Sequence, residues 1–136
     1  MTNKEITMIE NSWDYIILNV EEAGELFYSR LFEIDPGLRA LFKSDVRAQS
    51  GKLTSMITFL VQKLNSLDEI KKDIVALALR HNNYHVKAEH YQTVGEALLW
   101  TLEQGLGPQW NEDLKSAWTK LYVALSNMMI EASQKN

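Results

Sequence analysis

The chain has 136 residues, with fourteen basic and eighteen acidic side chains that give a formal net charge of −4 at pH 7. This length suits one domain with a substantial core and leaves no room for a second catalytic domain. The acidic balance and the lack of a Lys/Arg run argue against nucleic-acid binding. Without cysteine there is no disulfide framework and no thiolate metal site. The polar start, and apolar runs far shorter than the ~20 residues that span a bilayer, predict a cytoplasmic protein without a membrane segment.

Apolar residues recur at helical spacing along nearly the whole chain, and no segment alternates with period two. Thr2 and Glu5 have the spacing of a capping box, which predicts the start of a first helix. The core face of that helix is expected to carry Ile6, Ile9, Trp13 and Ile17. There is no repeat and no linker, so we expect one all-α domain over residues 1–136, with about seven helices around a shared core.

A second helix is expected around residues 20–34. Asp35 and Pro36 then read as an N-cap and a first helical residue, which predict a short helical turn. Gly24 lies inside the second helix, where it costs roughly 1 kcal/mol relative to alanine. Either the helix tolerates this loss of stability, or Gly24 permits close contact with a crossing helix. Ser50 and Gly51 are a plausible opposite surface for such a contact.

The second half of the chain repeats the same helical pattern. A long helix is expected from about Asp45, and a further helix ends at His81. Another apolar stripe runs over residues 91–102 and is stopped by two glycines and a proline. Asn111 is expected to cap the last helix.

His81 ends an apolar stripe where a core leucine would be expected, in IVALALRHNNYHV. An imidazole that faces a core must hydrogen-bond, pair with a charge or bind a metal. Taken alone, a satisfied core histidine is the simplest interpretation. A zinc site shared with His85 and His90 is a weaker alternative, because the stripe has already stopped before His85. The third alternative is an axial ligand of haem iron, which needs one imidazole, an apolar slot and a polar group on the far side.

Four stretches in this order and spacing resemble globins: LFYSRLFEIDPGLRALF, LRH, HYQTVGEALLWTLEQGLG and AWTKLY. The resemblance covers essentially the whole chain. The pattern is similar to single-domain bacterial globins, to the haem domains of flavohaemoglobins and to neuroglobin. The resemblance implies a globin fold with haem b, iron protoporphyrin IX, as its cofactor.

Taken position by position, the resemblance implies that His81 is the proximal ligand of the haem iron. Phe42 would pack against the porphyrin face, and Val86 would line its proximal edge. Lys52 would point toward a haem propionate. Tyr91 matches a tyrosine of the proximal hydrogen-bond network in flavohaemoglobins.

The same resemblance implies that Tyr28 and Gln49 are the distal donors and that Leu53 packs over the ligand site. Dioxygen on a haem iron carries partial negative charge, so a phenol and an amide donor stabilise it, whereas carbon monoxide gains less. The pair therefore predicts tight dioxygen binding with slow release. Because glutamine binds iron poorly compared with histidine, an open sixth position is also expected.

Two departures from flavohaemoglobins affect the expected function. Those proteins oxidise nitric oxide with an attached reductase, and this chain ends where the reductase would begin. Their proximal network also contains a glutamate, whose position falls at about Lys135, while the nearest acid, Glu131, lies a turn away. The proximal carboxylate is therefore expected to be absent or displaced.

Three functions follow as hypotheses. The first is reversible binding of dioxygen for transport, storage or scavenging. The second is nitric oxide dioxygenase activity, which would detoxify NO and need an external reductase. The third is a haem-based gas sensor or an interaction protein, for which neither an output domain nor a disrupted ligand set is found. The expected partners are dioxygen, NO and CO.

Overall fold

The structure is a computed structural model that describes residues 2–41, 46–66, 72, 74–76 and 88–134. Within these ranges all regular structure is helical, so the all-α prediction is confirmed. The α-helices are α1 Asn3–Ile16, α2 Val20–Ile34, α3 Val46–Gln62, α4 Ala88–Leu106 and α5 Glu112–Gln134. Short 3₁₀ helices cover Ile17–Asn19, Pro36–Leu41 and Gly107–Gln109.

The first helix begins with the predicted capping box. The backbone amide of Glu5 donates to the Thr2 hydroxyl at 3.1 Å, and the amide of Thr2 donates to the Glu5 carboxylate at 3.0 Å. Lys120 on α5 also reaches this carboxylate, at 2.6 Å. The Lys120 hydrogen bond, followed by the Thr2 backbone hydrogen bond, lowers the pKa of Glu5 to about 2. The capping box therefore also joins the start of α1 to α5.

The end of α1 corrects one expected core position. The α-helix stops at Ile16, and residues 17–19 continue as a tighter 3₁₀ helix. Since the tighter turn changes the angle between successive side chains, Ile16 is buried at 4% exposure while Ile17 is 38% exposed. The prediction that Ile17 faces the core is therefore wrong.

Two tryptophans anchor the main core, which α1, α3, α4 and α5 share. The rings of Trp13 and Trp118 are 6.0 Å apart and tilted by 58°. The Trp118 indole N–H donates to the Ser12 hydroxyl at 2.9 Å, and the Trp13 indole N–H donates to the Thr58 hydroxyl at 2.9 Å. Each ring thus buries its apolar surface without leaving its one polar group unpaired.

The predicted breaks between helices are also observed. After α2, the Asp35 carboxylate accepts the Gly37 amide at 3.1 Å and the 3₁₀ helix starts at Pro36. After α4, Gly107 adopts a φ of 55°, a left-handed conformation that glycine accommodates without strain. The Asn111 side chain then accepts the Leu114 amide at 2.8 Å, at the start of α5.

Within the described part of the chain, no helix combines the length and the apolar character needed to cross a bilayer.

Candidate functional site

The phenol of Tyr28 lies inside the protein on α2. The residue is only 5% exposed, and burial raises its pKa to about 12. The ring of Phe27 lies 4.9 Å away, nearly perpendicular at 88°, and the ring of Phe32 lies 5.9 Å away. Because the phenol keeps its proton at neutral pH, it is a hydrogen-bond donor held in largely apolar surroundings.

Helices α2 and α3 meet closely at Gly24 and Ser50. A Cβ atom placed on Gly24 would lie 2.5 Å from the Cβ and 2.9 Å from the Oγ of Ser50, while one placed on Gly51 would meet nothing within 4 Å. The close-contact interpretation of Gly24 is therefore correct, with Ser50 as the opposite residue. Since Gly24 lies one helical turn before Tyr28, this crossing also brings Tyr28 beside α3.

Leu53 packs against two neighbouring clusters, of which one contains Trp13 and the other contains Tyr28. The structure therefore brings together Tyr28 and Leu53, two of the residues expected on the distal side. Gln49 lies one turn before Leu53 on the backbone of α3, and its side chain is outside the described residues. The other buried members of the Tyr28 cluster are Phe27, Leu31, Leu38 and Ala97.

A small cavity of about 10 Å³ is lined by Leu53 and by apolar side chains of α1, α2, α3 and α4. Its two threonines, Thr54 and Thr101, donate their hydroxyls to carbonyls of their own helices, at 2.9 and 2.8 Å. Trp13, also in the wall, donates its N–H to Thr58. Because the donors of these side chains are already used in hydrogen bonds within the protein, a water molecule would find few partners in the cavity. We therefore expect the cavity to be dry.

Tyr91 lies on the first turn of α4 and is 8% exposed. The hydroxyl of Tyr122, on α5, donates a hydrogen bond to the backbone carbonyl of Tyr91. A Cβ on Gly95 would lie 2.7 Å from the Tyr122 ring, so the ring rests on the backbone of α4. The sequence pattern around Tyr122 does not predict this contact; the available signal is Gly95, one turn after Tyr91. The buried neighbours of Tyr91 are Leu60, Ile74 and Met129.

Four residues assigned from the resemblance are not among those that the structure brings together. Lys52 is on α3 with an exposed side chain. His81, Phe42 and Val86 lie outside the described residues, so their roles stay predictions. His85 lies outside them too, and with it the zinc alternative.

In the part of the chain that the structure describes, no group of three histidine, aspartate, glutamate or cysteine side chains is arranged to hold a metal ion. A haem iron held by a single imidazole does not depend on such a group.

Residues 25–129 match the family model for globins. The chain belongs to the globin family. Members of this family bind haem and diatomic gases. Among curated relatives, this globin is 26% identical to neuroglobin of Danio rerio and 28% identical to neuroglobin of Tetraodon nigroviridis. Both alignments cover 100% of this chain and 94% of the relative.

Solved structures show the same fold. A bacterial globin from Campylobacter jejuni superposes with a TM-score of 0.86 at 26% identity, over 98% of this chain and 97% of that one. An engineered carbene transferase, made from a candidate nitric oxide dioxygenase of Rhodothermus marinus, gives a TM-score of 0.89 at 23% identity, over 99% and 94%. The second likeness concerns the fold alone.

Proposed function

We propose that this single-domain globin binds haem b and holds dioxygen reversibly in the cytoplasm, as a carrier, store or scavenger. The observation that carries the proposal is the buried Tyr28 phenol, which stays neutral and lies with Leu53 in one apolar cluster. A phenol in this state donates a hydrogen bond, and the low local polarity strengthens that bond.

The described side chains fit a haem. A flat porphyrin needs an apolar slot with one polar group, and Tyr28 is such a group among apolar neighbours. Three of these neighbours, Phe32, Val94 and Leu98, are only partly buried, so apolar surface beside the phenol is open to a ligand. When bound, haem supplies an iron that binds a diatomic gas.

Each assigned residue has a distinct task in this proposal. His81 would hold the iron, and Tyr91 would support the side of the haem that His81 occupies. Phe42 and Val86 would pack against the porphyrin, and Lys52, whose side chain is exposed, would pair with a propionate.

On the opposite side of the haem, Tyr28 would donate a hydrogen bond to the gas ligand and Gln49 would add a second donor. Leu53 would cover the ligand with apolar surface and limit the access of water. Dioxygen draws more electron density than carbon monoxide, so both donors favour dioxygen. A hydrogen bond to a charged group contributes about 1.5–3 kcal/mol, which slows release about tenfold to a hundredfold.

The test is the rate of dioxygen release from wild type and from Tyr28→Phe, followed by the optical spectrum of the haem-loaded protein. We expect release about tenfold to a hundredfold faster from the variant. Tyr15→Phe is a matched control, because Tyr15 is 44% exposed and lies on α1. Equal release from wild type and Tyr28→Phe would contradict the distal role of Tyr28. A protein that takes up no haem when haem is supplied would overturn the whole proposal.

Nitric oxide dioxygenase activity is the second candidate, because the same Tyr28 donor suits it. In that reaction NO and dioxygen combine to nitrate with the uptake of one electron, which an external reductase must supply. The test is the amount of nitrate formed when a reductase is added to the haem-loaded protein. Nitrate from many turnovers per protein would favour the enzyme, provided that it does not form without the reductase. One equivalent of nitrate per protein in the presence of the reductase would favour the carrier. A gas sensor is the third candidate, and no described residue favours it.

A further inference from the structure

Exposed apolar side chains collect at the junction of α1 and α2. In the described part of the chain, Tyr15, Ile17, Leu18 and Val123 are the large apolar residues that are exposed, and the first three lie within four positions. Leu18 is the most exposed of them, at 75%. Single apolar side chains are common on protein surfaces, whereas a contiguous group of them is typical of an interaction site.

An open groove of about 430 Å³ lies beside this group. Ile17 and Val20 line it together with side chains of α3, among them Ser55 and Phe59. None of the described side chains that line it is charged, although 24% of the chain is charged. Few charged residues and an aromatic ring are typical of the centre of a protein–protein interface.

Two threonines in the groove already use their hydroxyls within the chain. The Thr54 hydroxyl donates to the Ser50 carbonyl at 2.9 Å. The Thr58 hydroxyl donates to the Thr54 carbonyl at 2.8 Å and accepts the indole N–H of Trp13 at 2.9 Å. Because these hydrogen bonds are internal, another protein surface can cover the groove without leaving either hydroxyl unpaired.

The two sides of the groove carry opposite charges. Residues 10–25 contain five acidic side chains and no basic one, whereas residues 50–63 contain two lysines and no acidic side chain. Among the described residues, Asp14, Glu21 and Lys63 take part in no ion pair. A surface with one acidic and one basic half is complementary to a second copy of itself after a two-fold rotation.

We infer that two copies of this chain associate through the junction surface, which comprises residues 14–22 and the exposed side of α3. Leu18 follows Ile17 at the edge of the groove, and in the dimer Leu18 of each copy enters the groove of the other. The acidic half of each copy then faces the basic half of the other. This inference goes beyond haem and gas binding and depends on neither.

The size of the junction surface sets the expected strength of the dimer. A standard interface has about 20–30 residues on each side, and the junction surface has far fewer. We therefore expect a weak dimer that dissociates at micromolar concentrations of the protein.

The experiment is sedimentation velocity of the full chain, with haem supplied, from roughly 10 μM to 1 mM, a range that suits a small interface. We expect the average mass to rise from one chain toward two. Leu18→Asp places an unpaired charge in the groove and should raise the Kd at least about tenfold. Val123→Asp is the matched control, because Val123 is also an exposed apolar residue but lies on α5, and it should keep the wild-type Kd.

Reversal of charge tests whether opposite halves meet. Asp14→Lys with Glu21→Lys reverses the acidic half, and Ser55→Glu with Lys63→Glu reverses the basic half. Each double variant alone should stay monomeric, because like charges then face each other. An equal mixture of the two should dimerise as wild type does, since every acidic half again meets a basic one. Melting temperatures confirm that each variant is folded.

Each outcome supports or overturns the inference. A wild type that stays monomeric up to the highest concentration overturns it, whatever other molecule binds the junction surface. A dimer that Leu18→Asp leaves unchanged uses another face and overturns it, as does equal weakening by Val123→Asp. If Leu18→Asp fails to fold, the charge variants decide. A dimer that forms only in their mixture supports the inference, and a mixture that stays monomeric overturns it.

Discussion

Among the described helices, the crossing of α2 with α3 and the crossing of α4 with α5 each have a glycine at the close contact, and the two crossings differ in what lies opposite that glycine. At the crossing of α2 and α3, the atoms nearest a new Cβ on Gly24 all belong to Ser50. They include its backbone Cα, which would lie 3.4 Å from the new Cβ. At the crossing of α4 and α5, the atoms nearest Gly95 belong to the ring of Tyr122. A serine Cβ moves only with its backbone, whereas a ring can tilt about its own torsions.

The difference bears on the two sides of the proposed haem site. The Gly24 crossing brings Tyr28 beside Leu53, so the separation of two backbones sets the position of the distal donor. The Gly95 crossing positions Tyr91 through a side chain and a hydrogen bond. The proposed distal side should therefore tolerate less change than the proposed proximal side.

Gly24→Ala should have the largest effect. The new methyl group must push α2 and α3 apart, and the cost of this overpacking exceeds the gain in helix propensity by about 2 kcal/mol. We expect a clear drop in the melting temperature, together with faster dioxygen release because Tyr28 moves away from the ligand. An unchanged melting temperature would show that the two helices separate freely and would break the comparison.

Alkaline pH should reveal the burial of Tyr28. Its unfolded phenol ionises near pH 10, whereas its folded phenol does so near pH 12. The neutral buried phenol makes its full contribution to the free energy of unfolding below pH 10, and this contribution is lost as pH rises through 12. At pH 11 the loss is about 1.4 kcal/mol. Melting temperatures measured between pH 9 and pH 11 should fall more steeply for wild type than for Tyr28→Phe. Parallel curves for the two proteins would contradict the buried phenol.

Gly95→Ala should be milder than Gly24→Ala. The Tyr122 ring can tilt away from the new methyl group, so we expect a loss of about 1 kcal/mol, mainly from the strained hydrogen bond to Tyr91. Thermal unfolding of Gly95→Ala and Gly24→Ala side by side measures the contrast. If Gly95→Ala lowers the stability more than Gly24→Ala does, then the Tyr122 ring is held as rigidly as a backbone. The α4–α5 crossing would then be the less tolerant of the two.

Gly51→Ala should have the smallest effect and the opposite sign. The position is exposed on α3 and a new Cβ meets nothing there, so the variant should be about 0.5–1 kcal/mol more stable through helix propensity alone. The check is a small rise in the melting temperature with dioxygen release unchanged. A destabilised Gly51→Ala would show that α3 lies against a surface that its present contacts do not include.

The sequence by itself determined the helices and much of their ends. The Thr2 capping box, the Asp35 turn and the Asn111 cap each depend on residues within three positions of one another, so local chemistry specifies them. Apolar periodicity likewise identified most buried faces. It failed at Ile17, because an α-helix and a 3₁₀ helix place the next side chain at different angles.

Only the tertiary structure decided which distant residues meet. The sequence offered Ser50 and Gly51 as equal partners for Gly24, and the angle at which the two helices cross selects Ser50. No sequence feature near Tyr122 indicates that its hydroxyl reaches Tyr91, because that contact depends on how α4 and α5 are positioned along each other's axes. Helical periodicity specifies the face on which a residue lies, whereas the distance between two faces depends on every side chain packed between them.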